Sequence, residues 1–226
     1  KSPAIILADA DLDLAIAGAA NAIFFNHGQC CCAGSRLLVH KSVYDRVVAG
    51  VADIPGKIRV GSCLDPQTEM GPLVSEEQFA RVTGYIDAGR HEGARVAVGG
   101  NRVGNLGYFV APTVLENTNP DMQVVREEIF GPVVCAQPFD DDALDKITAQ
   151  ANDTIYGLAA SVWTRNGSLA HKLARRIRSG TVWINCHNVF DASLPFGGYK
   201  QSGWGREMGA EVLHNYTETK AITAAL

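Results

Sequence analysis

Cys30, Cys31 and Cys32 stand side by side in the run NHGQCCCAGS (residues 26–35), and they make up half of the chain's six cysteines. Four chemistries are open to them. A disulfide between neighbouring residues is strained, and it needs an oxidising compartment. A metal site is commonly built from two separated pairs of ligands. No second pair stands elsewhere, so no metal is expected. Free cysteine is also among the most frequently buried residues, which makes three small core residues a third reading. The fourth is a nucleophile. A thiolate forms in part at neutral pH and attacks carbonyl carbon readily.

Geometry ranks the three thiols if their segment is extended. Side chains then alternate, so Cys30 and Cys32 point one way and Cys31 the other. Two packing inward leave Cys31 as the working thiol. His27 lies four residues before Cys31, and on a helix the two would share a face and form a Cys–His couple. Gly28 between them is a natural helix stop, which favours a surface histidine instead.

The elements that must position these groups alternate in type. Strands are expected at residues 4–8, 35–40, 57–60, 95–98, 133–139, 158–164 and 181–185, with an extended run at 109–115. Helices are expected from Leu12 to about His27–Gly28, then at 43–51, 76–93, 140–151 and 168–177. Asp9 or Asp11 caps the first, and Ser75 opens the third with a capping signature. The cysteines therefore fall in a loop just past a helix end. Helix–strand alternation throughout argues for an α/β fold with a parallel-rich sheet flanked by helices. Residues 187–205 read as a long ordered loop, and long loops in compact domains are usually functional. Residues 216–226 read as a terminal strand in need of a partner, which a neighbouring subunit would supply.

Composition bounds the rest. Of 226 residues, 46% are hydrophobic and 19% charged, enough apolar material for a sizeable core. A net charge of −4 gives no electrostatic reason to expect nucleic acid or an anionic membrane as partner. No apolar run reaches the roughly 20 residues of a spanning helix, and no signal peptide is evident. A cytoplasmic protein with reduced thiols is the expectation.

Five ordered blocks carry a family resemblance. FFNHGQCCCAGSR (residues 24–36) resembles the active-site segment of the NAD(P)-dependent aldehyde dehydrogenases. EEIFGPV (127–133) is similar to that family's cofactor segment, and NDTIYGLAASVWT (152–164), GTVWIN (180–185) and PFGGYKQSGWGREMG (195–209) follow in the family's order. The resemblance implies a catalytic domain over residues 1–215 and a C-terminal oligomerisation strand over 216–226, with a homo-oligomer built through that strand. It implies that the dinucleotide-binding domain is largely absent. In the family the sequence KSP follows a segment that holds the glutamate general base, so that base and the asparagine that helps stabilise the oxyanion are expected before Lys1.

Residue by residue, the resemblance makes Cys31 the nucleophile, Glu128 the ligand of the nicotinamide-ribose hydroxyls and Phe130 the aromatic beside the nicotinamide. Phe190 and Phe196 match positions lining the aldehyde pocket, with Cys30, Cys32, Asn185 and His187 near it. Lys200 and Arg206 are expected as salt-bridge residues holding the long loop. The implied reaction oxidises an aldehyde to an acid with NAD or NADP, through a thiohemiacetal and a thioester on Cys31, and the chain alone is expected to be impaired. The aromatic residues point to an aromatic or apolar aldehyde, in wording closest to phenylacetaldehyde-type members. A cysteine-dependent esterase and a non-catalytic assembly domain are the competing readings.

Overall fold

The computed structural model describes residues 1–140 and 144–226. Its centre is a seven-stranded sheet built from β1 (Pro3–Ile6), β2 (Arg36–His40), β3 (Arg95–Val98), β4 (Thr113–Glu116), β5 (Val133–Phe139), β7 (Ala159–Trp163) and β8 (Thr181–Ile184), in the order β3-β4-β5-β2-β1-β7-β8. A separate pair joins β6 (Tyr156–Gly157) to β9 (Tyr199–Lys200). Within the large sheet every pairing is parallel except β3 on β4. The expected parallel-rich α/β architecture is therefore what the chain forms.

The central strands are apolar on both faces, as strands buried between two helical layers must be. Along β1 the alternation still sorts the side chains. Ala4 and Ile6 face α1 (Leu12–Phe24) and α2 (Tyr44–Asp53). Ile5 faces α5 (Leu144–Asn152) and α6 (Gly167–Arg176). α3 (Glu76–His91) and α4 (Gln123–Arg126) cover the β3–β5 end through Val82, Ile86, Val124 and Leu115. Each such fully buried aliphatic side chain contributes about 1.5–3 kcal/mol.

α1 shows why its sequence reads as it does. The Asp11 carboxylate accepts the Leu14 N–H as N-cap, and an alanine-rich stripe (Ala15, Ala19, Ala20, Ala22) lies buried on the sheet. Small residues let the helix approach closely. A Cβ on Gly18 would fall 2.1 Å from the Trp163 ring. Arg36 is buried in β2, where its guanidinium donates to the carbonyls of Lys1, Gln150 and Ala151. Two of these are carbonyls of the last turn of α5, the negative end of that helix. Burial lowers the Arg36 pKa to about 10, so it stays charged in neutral solution.

Several expectations need correction. Residues 57–60 are not a strand: Pro55–Lys57 form a 3-10 turn, and only an isolated bridge joins Val60 to Met70. The extended run at 109–115 narrows to β4, because Val110 bridges Arg102 in a surface hairpin instead. α1 stops at Phe24, before the glycine, because Asn26 and His27 both adopt left-handed backbone (φ 48° and 61°). In the expected helix at 140–151, Asp140 is not helical, residues 141–143 lie outside the described residues, and α5 begins at Leu144. Residues 217–226 join no ladder and lie exposed. Among the described residues, no helix is long and apolar enough to cross a membrane.

Candidate active site

The cysteines lie in the connection from α1 to β2, and the connection is a turn. The Ala33 N–H donates to the Cys30 carbonyl at 3.0 Å. The premise of an extended segment therefore fails, and with it the alternation that set Cys31 apart. All three sulfurs lie within 4.8 Å of one another, with Cys30 Sγ 3.4 Å from Cys32 Sγ. They still differ in exposure: Cys31 is exposed, Cys30 half-buried and Cys32 buried at 1%. Cys32 packs with Ala159 and Trp183 and forms the floor beneath the turn, away from solvent.

Three thiols this close ionise as a unit. Contacts with the Cys31 and Cys32 thiols pull the Cys30 pKa down, and contacts with Cys30 push Cys31 and Cys32 up. Within the cluster, ionisation therefore favours Cys30 over Cys31 and Cys32.

His187 fixes the turn from below. Its Nε2 lies 2.9 Å from the Cys32 carbonyl and its Nδ1 lies 3.0 Å from Ser161 Oγ. A carbonyl only accepts, so Nε2 carries the proton and Nδ1 accepts from the serine hydroxyl. Ser161 Oγ in turn accepts from Trp163 Nε1. Burial holds the His187 pKa below its ordinary value. The imidazole is therefore a neutral strut in mid-range pH. Next to it, the Cys32 thiol donates to Asn188 Oδ1 at 3.2 Å, while Asn188 Nδ2 is buried with no partner among the described residues.

The EEIFGP loop enters β5 beside the turn. α3 holds it: Gln78 Nε2 donates to the carbonyls of Ile129 and Phe130, and Arg81 donates to that of Glu128. Tyr85 donates to Glu127, and burial with that carboxylate pushes the tyrosine up to about 12. Phe130 takes a left-handed backbone (φ 58°) and stays partly exposed. The two loops touch at Gly28 (φ 65°), where a Cβ would sit 2.0 Å from the Gly131 carbonyl oxygen. A narrow crevice results, lined by Cys30, Cys31, Glu128 and Phe130.

On the other side of Cys31 opens a cleft of about 500 Å³ lined by Phe196, Leu158, Trp204 and Arg206. Phe196 continues an aromatic ladder: Phe190 stacks edge-on to Phe196 (5.3 Å) and to Trp183 (5.5 Å). The Trp183 Nε1–H holds the loop by donating to the Val189 carbonyl at 2.7 Å.

Asn185 is not brought to either cavity. It follows the carboxyl end of β8, and both its amide atoms are spent on the Thr164 backbone. Lys200 and Arg206 hold the loop, but through carbonyls rather than salt bridges. Lys200 donates to those of Asn152 and Thr154, Arg206 to those of Gly198 and Gly205. His27 accepts the Gly71 N–H at Nε2 (2.9 Å) and faces a separate apolar cleft with Phe24, Ile54 and Met70. It forms no couple with Cys31.

Sequence reasoning passed over Asn188, Ser161, Gln78 and Arg81. Each acts through a contact 47 or more residues away in the chain, apart from Ser161, whose partner His187 is 26 away. No local signal marks such a contact.

Comparison with known proteins agrees with this picture. The sequence profile described as "Aldehyde dehydrogenase family" matches residues 1–222. An aldehyde dehydrogenase of Emericella nidulans is 49% identical over 222 residues, covering 98% of this chain and 44% of the relative. The mitochondrial aldehyde dehydrogenase of Homo sapiens is 46% identical over 99% of this chain and 43% of its own length. Among solved structures, the NAD+ complex of aldehyde dehydrogenase from Bacillus cereus superposes with a TM-score of 0.94 at 51% identity, covering 96% of this chain and 44% of that one. The chain thus spans less than half the length of the relatives it matches. A family model that matches residues 1–222, with the likeness in sequence and fold over nearly the whole chain, makes this chain a member of the aldehyde dehydrogenase family.

Proposed function

We propose that this chain is the thiol-bearing part of an enzyme that oxidises an aldehyde to a carboxylic acid with NAD+ or NADP+. The observation that carries the reading is the position of Cys31. It is the exposed thiol of the cluster and lines both the Glu128–Phe130 crevice and the Phe196 cleft.

The crevice itself holds only about 10 Å³, so a flat cofactor ring would lie across its mouth rather than inside it. Phe130 offers a partly exposed aromatic face, and the half-buried Glu128 carboxylate can accept from ribose hydroxyls. When bound there, the nicotinamide supplies the hydride acceptor. The chain's own residues do the rest. The Cys31 sulfur attacks the aldehyde carbon and forms a thiohemiacetal. Its oxyanion falls near the Cys31 N–H, which donates to no backbone carbonyl among the described residues. One such donor is worth about 2.7–4 kcal/mol in the transition state. Loss of hydride leaves a thioester on Cys31, which water hydrolyses.

No carboxylate or imidazole among the described residues hydrogen-bonds the Cys31 sulfur. A general base contributes roughly 10²–10⁴-fold, so the isolated chain should turn over slowly. The Phe190–Phe196–Trp183 ladder favours an aromatic or apolar aldehyde. The exposed tail fits pairing with a second copy.

The test is an aldehyde assay with NAD+ and NADP+ on this chain and on a full-length protein that carries it, each beside its Cys31→Ala variant. The full-length protein should turn over, the variant should not, and the isolated chain should lag far behind. Undiminished oxidation by the full-length Cys31→Ala variant would sink the assignment. Rapid Cys31-dependent ester hydrolysis by the isolated chain, with no oxidation by the full-length protein, would favour the esterase.

A further inference from the structure

We propose that Cys30, Cys31 and Cys32 together bind one soft divalent metal ion, of the zinc or cadmium class, through their three sulfurs. Spacing in the sequence argued against a metal because no second cysteine pair exists. The turn removes that objection, since it gathers three consecutive thiols around one point. Zinc–sulfur bonds of about 2.3 Å in a tetrahedral site place the sulfurs about 3.8 Å apart. Here the three lie within 4.8 Å of one another, with the Cys30 and Cys32 sulfurs 3.4 Å apart. Side-chain rotations that move the sulfurs by up to about 1 Å close the difference.

The surroundings complete the site. Cys31 is exposed and opens on the cleft of about 500 Å³, so an ion has an entry path and water has the fourth position. An S₃ donor set selects thiophilic ions over magnesium or calcium. Asn188 supplies an outer contact. Its Oδ1 now accepts from the Cys32 thiol, while its buried Nδ2 lacks a partner among the described residues. When the ion takes the place of the Cys32 proton, rotation of the amide turns that Nδ2–H₂ toward the thiolate. His187 keeps the Cys32 carbonyl, and with it the turn, in place.

Binding involves no oxidation or reduction. Three metal–sulfur bonds replace three S–H bonds, and three protons leave to water, less any already lost to a thiolate. Affinity therefore falls as pH falls. Because the ion holds the Cys31 sulfur, it also blocks that sulfur as a nucleophile. This last consequence rests on the dehydrogenase reading; the binding itself does not.

The experiment titrates the reduced chain with Cd²⁺, without aldehyde or nucleotide, and follows the ultraviolet sulfur-to-cadmium charge-transfer band. The band should plateau at one ion per chain. Cys31→Ser, an exposed change that leaves the core intact, should weaken binding by more than the roughly 10–100-fold that loss of an outer contact costs. Asn188→Leu should fall within that range, and Cys63→Ser should change nothing. One equivalent of Zn²⁺ should protect Cys31 from iodoacetamide, and a chelator should restore labelling. Unchanged cadmium affinity in Cys31→Ser, or a band that vanishes in Cys63→Ser, would overturn the proposal whatever the chain's enzymatic activity.

Discussion

At the scale of residues, His187 sets how the thiol turn responds to pH. Its folded pKa lies below the ordinary value of about 6.5 because burial disfavours the imidazolium. The unfolded chain therefore binds the extra proton first. Stability is full above about pH 6.5, declines as pH falls toward the depressed folded pKa, and levels off below it. Protonation also has a local cost. Nδ1 could no longer accept from Ser161, whose hydroxyl already accepts from Trp163. His187→Gln should flatten the acid limb in that window, as measured by thermal unfolding from pH 7.5 to pH 5, values chosen to bracket it. His187→Ala should cost about 1–3 kcal/mol at neutral pH, since it leaves the buried Cys32 carbonyl unpaired. An acid limb identical in wild type and His187→Gln would show that another group governs it.

At the scale of elements, α3 acts as a shelf for the loop before β5. Two Gln78 hydrogen bonds and one from Arg81 hold the carbonyls of Glu128, Ile129 and Phe130, and so aim the two side chains proposed to meet the cofactor. Gln78→Leu should destabilise the chain by about 1–3 kcal/mol in urea unfolding, at 0.5–1.5 kcal/mol per bond. In a full-length protein it should raise the nucleotide KM more than it lowers kcat. Iodoacetamide should still label Cys31 at the wild-type rate, because the turn is held separately by His187. A matching loss of Cys31 labelling would mean that the two loops move as one, through the Gly28–Gly131 contact.

At the scale of the whole molecule, the sheet places its chemistry at an unusual edge. Open α/β sheets bind ligands at the carboxyl ends of their strands. Here the thiol turn and the EEIFGP loop meet at the amino ends of β2 and β5, because each precedes its strand. The long loop after β8 comes back to that edge to bring Phe190 and Phe196. The tail beyond Asn215 stays unpaired and exposes Tyr216, Ile222 and Leu226. Removing residues 216–226 should convert an oligomer to monomer in light scattering without lowering the melting temperature, since the tail contributes nothing to the core. An unchanged mass would retire the tail as an assembly strand.

Much of this was legible in the residues themselves. Apolar runs such as AII, LLV and VVCA, punctuated by capped helices, specify a parallel sheet, because burial on both faces admits only such strands. Asp11 and Ser75 mark their helix starts through a local side-chain contact. The ordered blocks, through their family resemblance, point to Cys31, Glu128 and Phe130 as the proposed site. What the sequence could not decide was the conformation of the cysteines and the company they keep. Extended or turned backbone at residues 30–32 depends on one hydrogen bond and on the Gly28 contact with Gly131, made across about a hundred residues. His187, Asn188, Gln78 and the failure of Asn185 to reach the site likewise depend on which strand ends the fold brings together. Local propensity sets the elements, whereas a site made of strand ends and loops exists only once the sheet order is fixed.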